Sequence, residues 1–270
     1  MINDMECRKR IIISSLKVPL YLVSIVPLMY SWLNSDFSRP LIFALSLIFV
    51  ISSQFLMNTE MDRLDHKYGK NCMKSGSFIP IGPCIFDCVN AEKIRKINMV
   101  LLALMVITSA LIIIITRLLV LLIIGFLAVI LMFAYLYPPL MLYRRGIGEL
   151  STFFDFGPLL VLGSYYAFTG SFVYLLVPAA MAFGFIASAV RLSHHIIEES
   201  ENTVRKKFYI PTFFMMIILS SILVSLQTNM THIILVLISI IIAAMPIVLK
   251  DSQKVSAAAI IYLVIFALIA

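Results

Sequence analysis

From Ile11 onward the chain is a series of long apolar runs broken by a few short polar blocks. Nine runs approach the roughly 20 residues that a helix needs to cross the hydrocarbon of a bilayer: 11–33, 40–57, 98–116, 118–137, 152–169, 171–191, 208–227, 231–249 and 254–270. In that solvent a segment must satisfy its own backbone hydrogen bonds, so such runs predict helices. Several are separated by only a few residues and predict tight hairpins. The longer polar stretches are 58–97, 138–151, 192–207 and 250–253. The pattern predicts an all-α polytopic membrane protein with nine transmembrane helices.

Composition strengthens this expectation. The 270 residues are 61% hydrophobic, with a mean hydropathy of +1.04, against about 45–50% apolar residues in soluble domains. The N-terminal apolar run is long enough to be a first span rather than a cleaved leader. Cys7, Cys72, Cys84 and Cys88 give no disulfide framework. Cys72, Cys84 and Cys88 share one loop but lack a fourth zinc ligand at the usual spacing, so free thiols are expected.

Charge sets the expected orientation. Of the 21 Lys and Arg, 18 lie at the N-terminus, in the four longer polar stretches, or at the ends of the runs that flank them. Lys17 lies inside the first run, and only Arg39 and Arg117 fall on the opposite side. The positive-inside rule then puts the N-terminus and long loops in the cytoplasm and the C-terminus outside, as in a multi-pass plasma-membrane protein. It also accounts for the net charge of +7 without nucleic acid as a partner. Of the 14 acids, only Asp36 and Asp155 stand away from the cytoplasmic side. A channel or ion-coupled transporter would place ionisable groups near the midplane.

Two acidic blocks interrupt this plan. "MNTEMDRLDHKYGKN" (57–71) follows the second run, and "RLSHHIIEESENTVRKKF" (191–208) follows the sixth. They occupy equivalent places in two four-helix halves, 11–137 and 152–249, with 254–270 left over. That suggests one domain over 1–270, built by duplication, with both blocks opening on one central cavity. Asn58, Asp62 and Asp65 stand at i, i+4 and i+7 on one helix face, and Glu198, Glu201 and Asn202 share another. Glu60 falls off the first face and is expected to be dispensable. Oxygen donors from two facing helices suit Mg²⁺, which accepts one or two carboxylates plus phosphate oxygens. Lys67, Lys70, Lys74, Arg205 and Lys206 would neutralise the phosphates. Each block alone also reads as an ordinary solvated helix end; the matched pair favours a metal–diphosphate clamp.

With these residues the chain resembles the UbiA superfamily of intramembrane prenyltransferases, which have nine transmembrane helices in a bundle and two aspartate-rich motifs. Asn58 and Asp62 match the first motif, N-D-x-x-D-x-x-x-D. Thr59 replaces its first Asp, and His66 stands at its last position beside Asp65. Glu198 and Asn202 fill the second, D-x-x-x-D. "YRRGIGELSTFFDFGPLLVLGSYYAFTG" (143–170) is similar to the 1,4-dihydroxy-2-naphthoate polyprenyltransferases of menaquinone biosynthesis. Tyr143, Gly146, Gly148, Glu149, Phe156, Gly157, Pro158, Tyr165 and Tyr166 match that branch. "SSLKVPLYLVSIVPL" (14–28) does so more loosely.

The resemblance implies Mg²⁺-dependent transfer of a polyprenyl group from an allylic diphosphate to an aromatic acceptor, a naphthoate or related quinone precursor. The bilayer would receive the tail. Asp62, Glu198 and Asp155 are the candidate catalytic residues. Asn58, Asp62, Asp65, Glu198, Glu201 and Asn202 are the candidate metal ligands. Lys17, Asn58, Lys67, Lys70, Lys74 and Arg144 would meet the diphosphate. Tyr135, Tyr143, Tyr165 and Tyr166 would line the acceptor and prenyl cavity, where aromatic faces shelter a cation; an interfacial belt accounts for tyrosines equally well. Asp155 reads either as an acceptor-side base facing the cavity or as an interfacial carboxylate. Lys17 reads either as a snorkelling lysine or as a diphosphate contact.

Where the family carries about four to six aspartates, this chain has two at the first motif and none at the second, and His194–His195 replaces a common Asn pair. Weaker metal binding is expected. Other readings are an isoprenoid cyclase, a lipid-ether-forming transferase, or a non-catalytic isoprenoid- or quinone-binding protein. The charge bias itself is testable. A reporter active only in the cytoplasm should work when fused to the N-terminus and fail at the C-terminus; activity at the C-terminus would contradict the orientation.

Overall fold

The computed structural model of the chain describes residues 17–69, 83–87, 89–196, 204–225, 231–249 and 251–270. Among them are nine helical rods and no strand. They are α1 (Leu22–Leu33), α2 (Pro40–Lys67), α3 (Ala91–Thr116), α4 (Val120–Leu136), α5 (Gly148–Phe154, continuing through Asp155–Leu159 to Leu160–Thr169), α6 (Val177–His195), α7 (Tyr209–Ser225), α8 (Thr231–Leu249) and α9 (Ser252–Ile269). Each coincides with one predicted run.

Four stretches, Pro40–Lys67, Ala91–Thr116, Tyr174–His194 and Ser252–Ile269, are long and apolar enough to cross a membrane. Large apolar side chains stand exposed along the outside, among them Val106 and Ile114 on α3, Phe126 and Phe133 on α4, Ile222 on α7, Ile241 on α8 and Ile261 on α9. Exposed apolar surface on this scale marks a lipid-facing protein.

Local chemistry sets the helix ends. α2 begins at Pro40, whose missing N–H costs nothing in a first turn. It runs about ten residues beyond its apolar run, to Lys67, and stops at Gly69 with φ +75°. His66 and Lys67 in its last turn suit the negative end of the helix dipole. α3 starts seven residues before its apolar run because Asn90 caps it, accepting from the Lys93 backbone N–H at 3.0 Å. Asp251 caps α9 in the same way, at 3.0 Å from the Gln253 N–H.

α6 is the hub and packs against α5, α7 and α9; α7 packs on α8, and α8 on α9. Ala179, Ala180, Ala182, Phe183, Ile186, Ala187, Ala189 and Val190 are almost fully buried along it. The ring of Phe183 meets Tyr30 of α1 and Phe266 of α9 edge-on, each at 5.0 Å. α1 joins α9 and α5 to the hub, and α2 lies between α1 and α3.

α5 and α6 approach each other closely. α5 passes through a π-helical turn at Asp155–Leu159, where Pro158 lacks an N–H and its ring would collide with the carbonyl four residues back. A β-carbon on Gly157 would lie 2.5 Å from the Ala180 carbonyl oxygen and 2.8 Å from Gly184; one on Gly184 would lie 2.5 Å from the Phe153 carbonyl oxygen. Only hydrogen fits at this crossing. Gly157→Ala should therefore lower stability by about 1–3 kcal/mol, as overpacking does. Gly125→Ala, where a β-carbon would meet nothing within 4 Å, should be neutral or stabilising. Thermal unfolding of the two variants in detergent checks the contrast.

Candidate functional site

The last turns of α2 carry an unusual load. Asn58, Thr59, Glu60, Asp62 and Asp65 are all buried at the end of a helix that begins as an apolar run. They divide into two sets that face different neighbours.

One set faces α3 and α4. Thr59 donates to Asn98 Oδ1 at 2.6 Å, and Asn98 Nδ2 donates to Glu60 at 2.9 Å. Arg63 grips Glu60 with two N–H groups at 2.8 and 2.6 Å. The Tyr137 hydroxyl also donates to Glu60. Glu60 is thus the buried acceptor that ties three helices together, and the expectation that it is dispensable is corrected. Position on the α2 wheel separates it from Asp62, as predicted; the far side turns out to be packed protein.

The other set faces inward. Lys17 Nζ meets Asp62 Oδ1 at 3.1 Å, with both side chains almost fully buried. The Tyr143 hydroxyl donates to Asp65 at 3.4 Å. Burial and the Asp65 carboxylate push that hydroxyl above its ordinary pKa, so it stays protonated and remains a donor. Asn58 accepts from Gln54 Nε2 at 3.3 Å, while its own Nδ2 is buried without a partner.

Asn58 and Lys17 line a cavity of about 100 Å³, room for several waters or a small polar group. α1 and the turn before it contribute Leu20 and Val23; α2 adds Gln54, Met57 and Met61; α4 adds Tyr135; α5 adds Ser151, Thr152, Asp155 and Phe156; α6 adds Ala187, Val190, Arg191 and His194. Asp155, the first residue of the π-helical turn, accepts from Ser151 at 3.2 Å, and its Oδ1 is buried without a partner. The Arg191 guanidinium carbon lies over the Tyr135 ring, 4.4 Å from its centroid. A β-carbon on Gly148 would stand 2.5 Å from its Nη2, so Gly148 clears the seat of the guanidinium. Glu149 approaches Arg191 at 3.9 Å.

Of the predicted residues, Lys17, Asn58, Asp155 and Tyr135 line this cavity. Asp62 reaches it through Lys17, and Asp65 and Tyr143 lie behind its wall, with Tyr143 against Tyr135 at 5.7 Å. Four of the predicted residues stand away from this cavity. Tyr165 and Tyr166 do not line it: they stand ten and eleven residues beyond Asp155 on α5, roughly 15 Å along the helix, and Tyr166 stacks on Phe172 at 4.4 Å. Lys67 lines a separate depression with His66, Phe86 and Arg95. Arg144 is exposed and covers the Tyr68 ring at 4.2 Å. Glu198, Glu201, Asn202, Lys70 and Lys74 lie outside the described residues.

Arg191, His194 and Gln54 are site residues that charge counting misses. Arg191 reads as one more loop cation, yet Ala187, Arg191 and His194 at i, i+4 and i+7 carry the signal of one shared face.

The donor chemistry suits a hard cation in kind, since Asn58, Asp62 and Asp65 offer oxygen. Among the described residues no group of three or more His, Cys, Asp or Glu comes together to hold a metal ion.

No protein-family model matches the chain, and no curated protein matches it.

Glu60→Gln keeps volume but removes the charge that Arg63, Asn98 and Tyr137 share. It should cost about 1.5–3 kcal/mol, the range for a charged hydrogen-bond acceptor. Glu92→Gln, which breaks only the exposed pair with Lys96, should change stability by less than about 0.5 kcal/mol. Thermal unfolding distinguishes the two.

Proposed function

We propose that the chain is an intramembrane prenyltransferase of the UbiA type, moving a polyprenyl group from an allylic diphosphate to an aromatic acceptor such as a naphthoate. In this reading all nine helices span the bilayer as one bundle, and the cavity opens to the cytoplasm. One observation carries the reading. The acidic stretch at 57–65 and the block at 143–158 resemble family motifs independently, and they meet at one cavity of mixed polar and apolar lining.

The cavity's two sides suit the two halves of the reaction. Lys17, Arg191 and the unpartnered Nδ2 of Asn58 offer donors to diphosphate oxygens. Leu20, Val23, Phe156 and Val190 offer the tail an apolar wall. When the C–O bond to diphosphate breaks, the pair of electrons leaves with the phosphate and an allylic cation remains. The Tyr135 face is placed to shelter it. A carbon of the electron-rich acceptor ring then attacks, and the ring proton passes to Asp155, whose Oδ1 is available. Mg²⁺, held by Asp62 and Asp65, would stabilise the leaving charge when bound.

A second reading has its own observation. The Lys17–Asp62 pair already neutralises the carboxylate that a catalytic metal would need, which favours a protein that binds isoprenoid diphosphates or quinones without turnover. The purified protein with Mg²⁺, prenyl diphosphates and a panel of aromatic acceptors, read by mass spectrometry, decides between them. A prenylated acceptor is expected, with Asp62→Asn slower by about 10²–10³ and Asp155→Asn binding prenyl diphosphate but failing to transfer it. Diphosphate binding without any product would favour the carrier; cyclised or ether-linked products would reassign the acceptor.

A further inference from the structure

A second concavity lies outside the site described above. The end of α2 and the start of α3 border a hollow of about 340 Å³, lined among others by Arg63, His66, Lys67, Phe86, Glu92 and Arg95. Arg63, His66 and Lys67 stand at i, i+3 and i+4, so they share one face of α2. The His66 ring stacks on Phe86 at 4.4 Å. The charges around the hollow do not cancel. Arg63 is already bound to Glu60, and Glu92 is bound to Lys96 at 2.8 Å. Lys67 and Arg95 are exposed, and neither belongs to an ion pair among the described residues. Two positive charges thus stand over one hollow without a counter-charge.

The surface beside the hollow is apolar. Arg95, Met99, Leu102 and Val106 fall at i, i+4, i+7 and i+11, one stripe along α3. The last three are 53%, 49% and 59% exposed. From Arg95 to Val106 the stripe runs about 16 Å, close to one leaflet of a hydrocarbon core about 30 Å thick. α2 and α3 are themselves two of the helices long and apolar enough to cross a membrane.

We propose that this hollow seats the phosphodiester headgroup of an anionic phospholipid between Lys67 and Arg95, with an acyl chain along the Met99, Leu102 and Val106 stripe. Charge complementarity selects the anion, and the adjoining stripe selects a lipid over a soluble phosphate. The Arg95 guanidinium suits paired phosphate oxygens, and the Lys67 ammonium acts as a point charge. Basic pockets at the membrane ends of helices bind anionic head groups in this way. The site is separate from the cavity between α2, α5 and α6, and the proposal does not depend on prenyl transfer. Arg63 joins the hollow to the Glu60 network that ties α2 to Asn98 and Tyr137, so a bound lipid should stabilise the fold.

The test uses the full chain in a nonionic detergent, with phosphatidylglycerol and phosphatidylcholine of identical acyl chains as probes. Binding is read by native mass spectrometry and by thermal unfolding, since a ligand of the folded state raises the midpoint. Wild type should bind phosphatidylglycerol about tenfold or more tightly than phosphatidylcholine, and unfold at a higher temperature with it. Lys67→Gln/Arg95→Gln should lose that preference. Lys67→Arg/Arg95→Lys keeps both charges and should retain it. Lys93→Gln/Lys207→Gln removes two exposed charges that do not line the hollow, and should also retain it. Inorganic phosphate at matched concentration should not displace the lipid.

Equal binding of the two lipids by wild type overturns the proposal. So does an equal loss of preference in the Lys67/Arg95 and Lys93/Lys207 glutamine variants, which would show only the field of a basic surface. Displacement of phosphatidylglycerol by inorganic phosphate or pyrophosphate at matched concentration overturns it in favour of a soluble anion. If the double glutamine variant does not fold, Lys67→Gln and Arg95→Gln singly decide: each should cut the preference about fivefold, and an unchanged preference in both overturns the site.

Discussion

Five polar residues on the last turns of one apolar helix govern this structure. Asn58, Thr59, Glu60, Asp62 and Asp65 are buried, and in a chain built for hydrocarbon there is no bulk water to satisfy them. All but Asn58, whose partner Gln54 stands on the same helix, meet a partner on a neighbouring element, and those partners place the neighbours. Asn98 fixes α3, Tyr137 fixes the end of α4, Tyr143 fixes the turn that follows it, and Lys17 fixes the approach to α1. The cavity is the space these obligations enclose. Glu60, which holds the fold, and Asp62 and Asp65, which are proposed to hold a metal ion, belong to one helix and differ in which face they occupy; Asp155, the proposed base, comes from α5.

The second determinant is apolar. Gly157 and Gly184 bring the backbones of α5 and α6 into contact, which sets Asp155 and Arg191 on the walls of one cavity. The π-helical turn at Asp155–Leu159 adds a residue to the α5 register at that point, and such turns recur at functional sites. Gly148 has a separate task, leaving room for the Arg191 guanidinium over Tyr135. The middle block of sequence thus carries its glycines for close approach, and the polar groups beside them follow from it.

The helices were legible because the signal was thermodynamic and long-range: nine apolar runs became nine helical rods, with α8 matching its run end to end. Their ends were less legible where the hydrocarbon criterion stops at the first charge. α2 and α3 both continue into polar sequence, α2 because its charges have buried partners and α3 because Asn90 caps it. Asp62 and Asn58 were legible from i, i+4 spacing. Glu60 was not, since a helical wheel shows which face a residue takes but not that the far face also meets protein. Tyr165 and Tyr166 were drawn toward the site by the motif they share with Gly148 and Pro158, although a helix carries them roughly 15 Å away. Arg191 was hidden among the cations of a loop it precedes.

The central claim is that the cavity between α2, α5 and α6 receives the reactive end of an isoprenoid diphosphate. Photo-crosslinking tests it most directly: a diazirine placed on the first isoprene unit of a prenyl diphosphate analogue, irradiated with the full-length protein and Mg²⁺, and mapped by peptide mass spectrometry. The account predicts label on Met61, Tyr135, Phe156 or Val190, suppressed by excess unlabelled diphosphate. Label confined to outward residues such as Ile114 and Phe126, and unaffected by competitor, would contradict it.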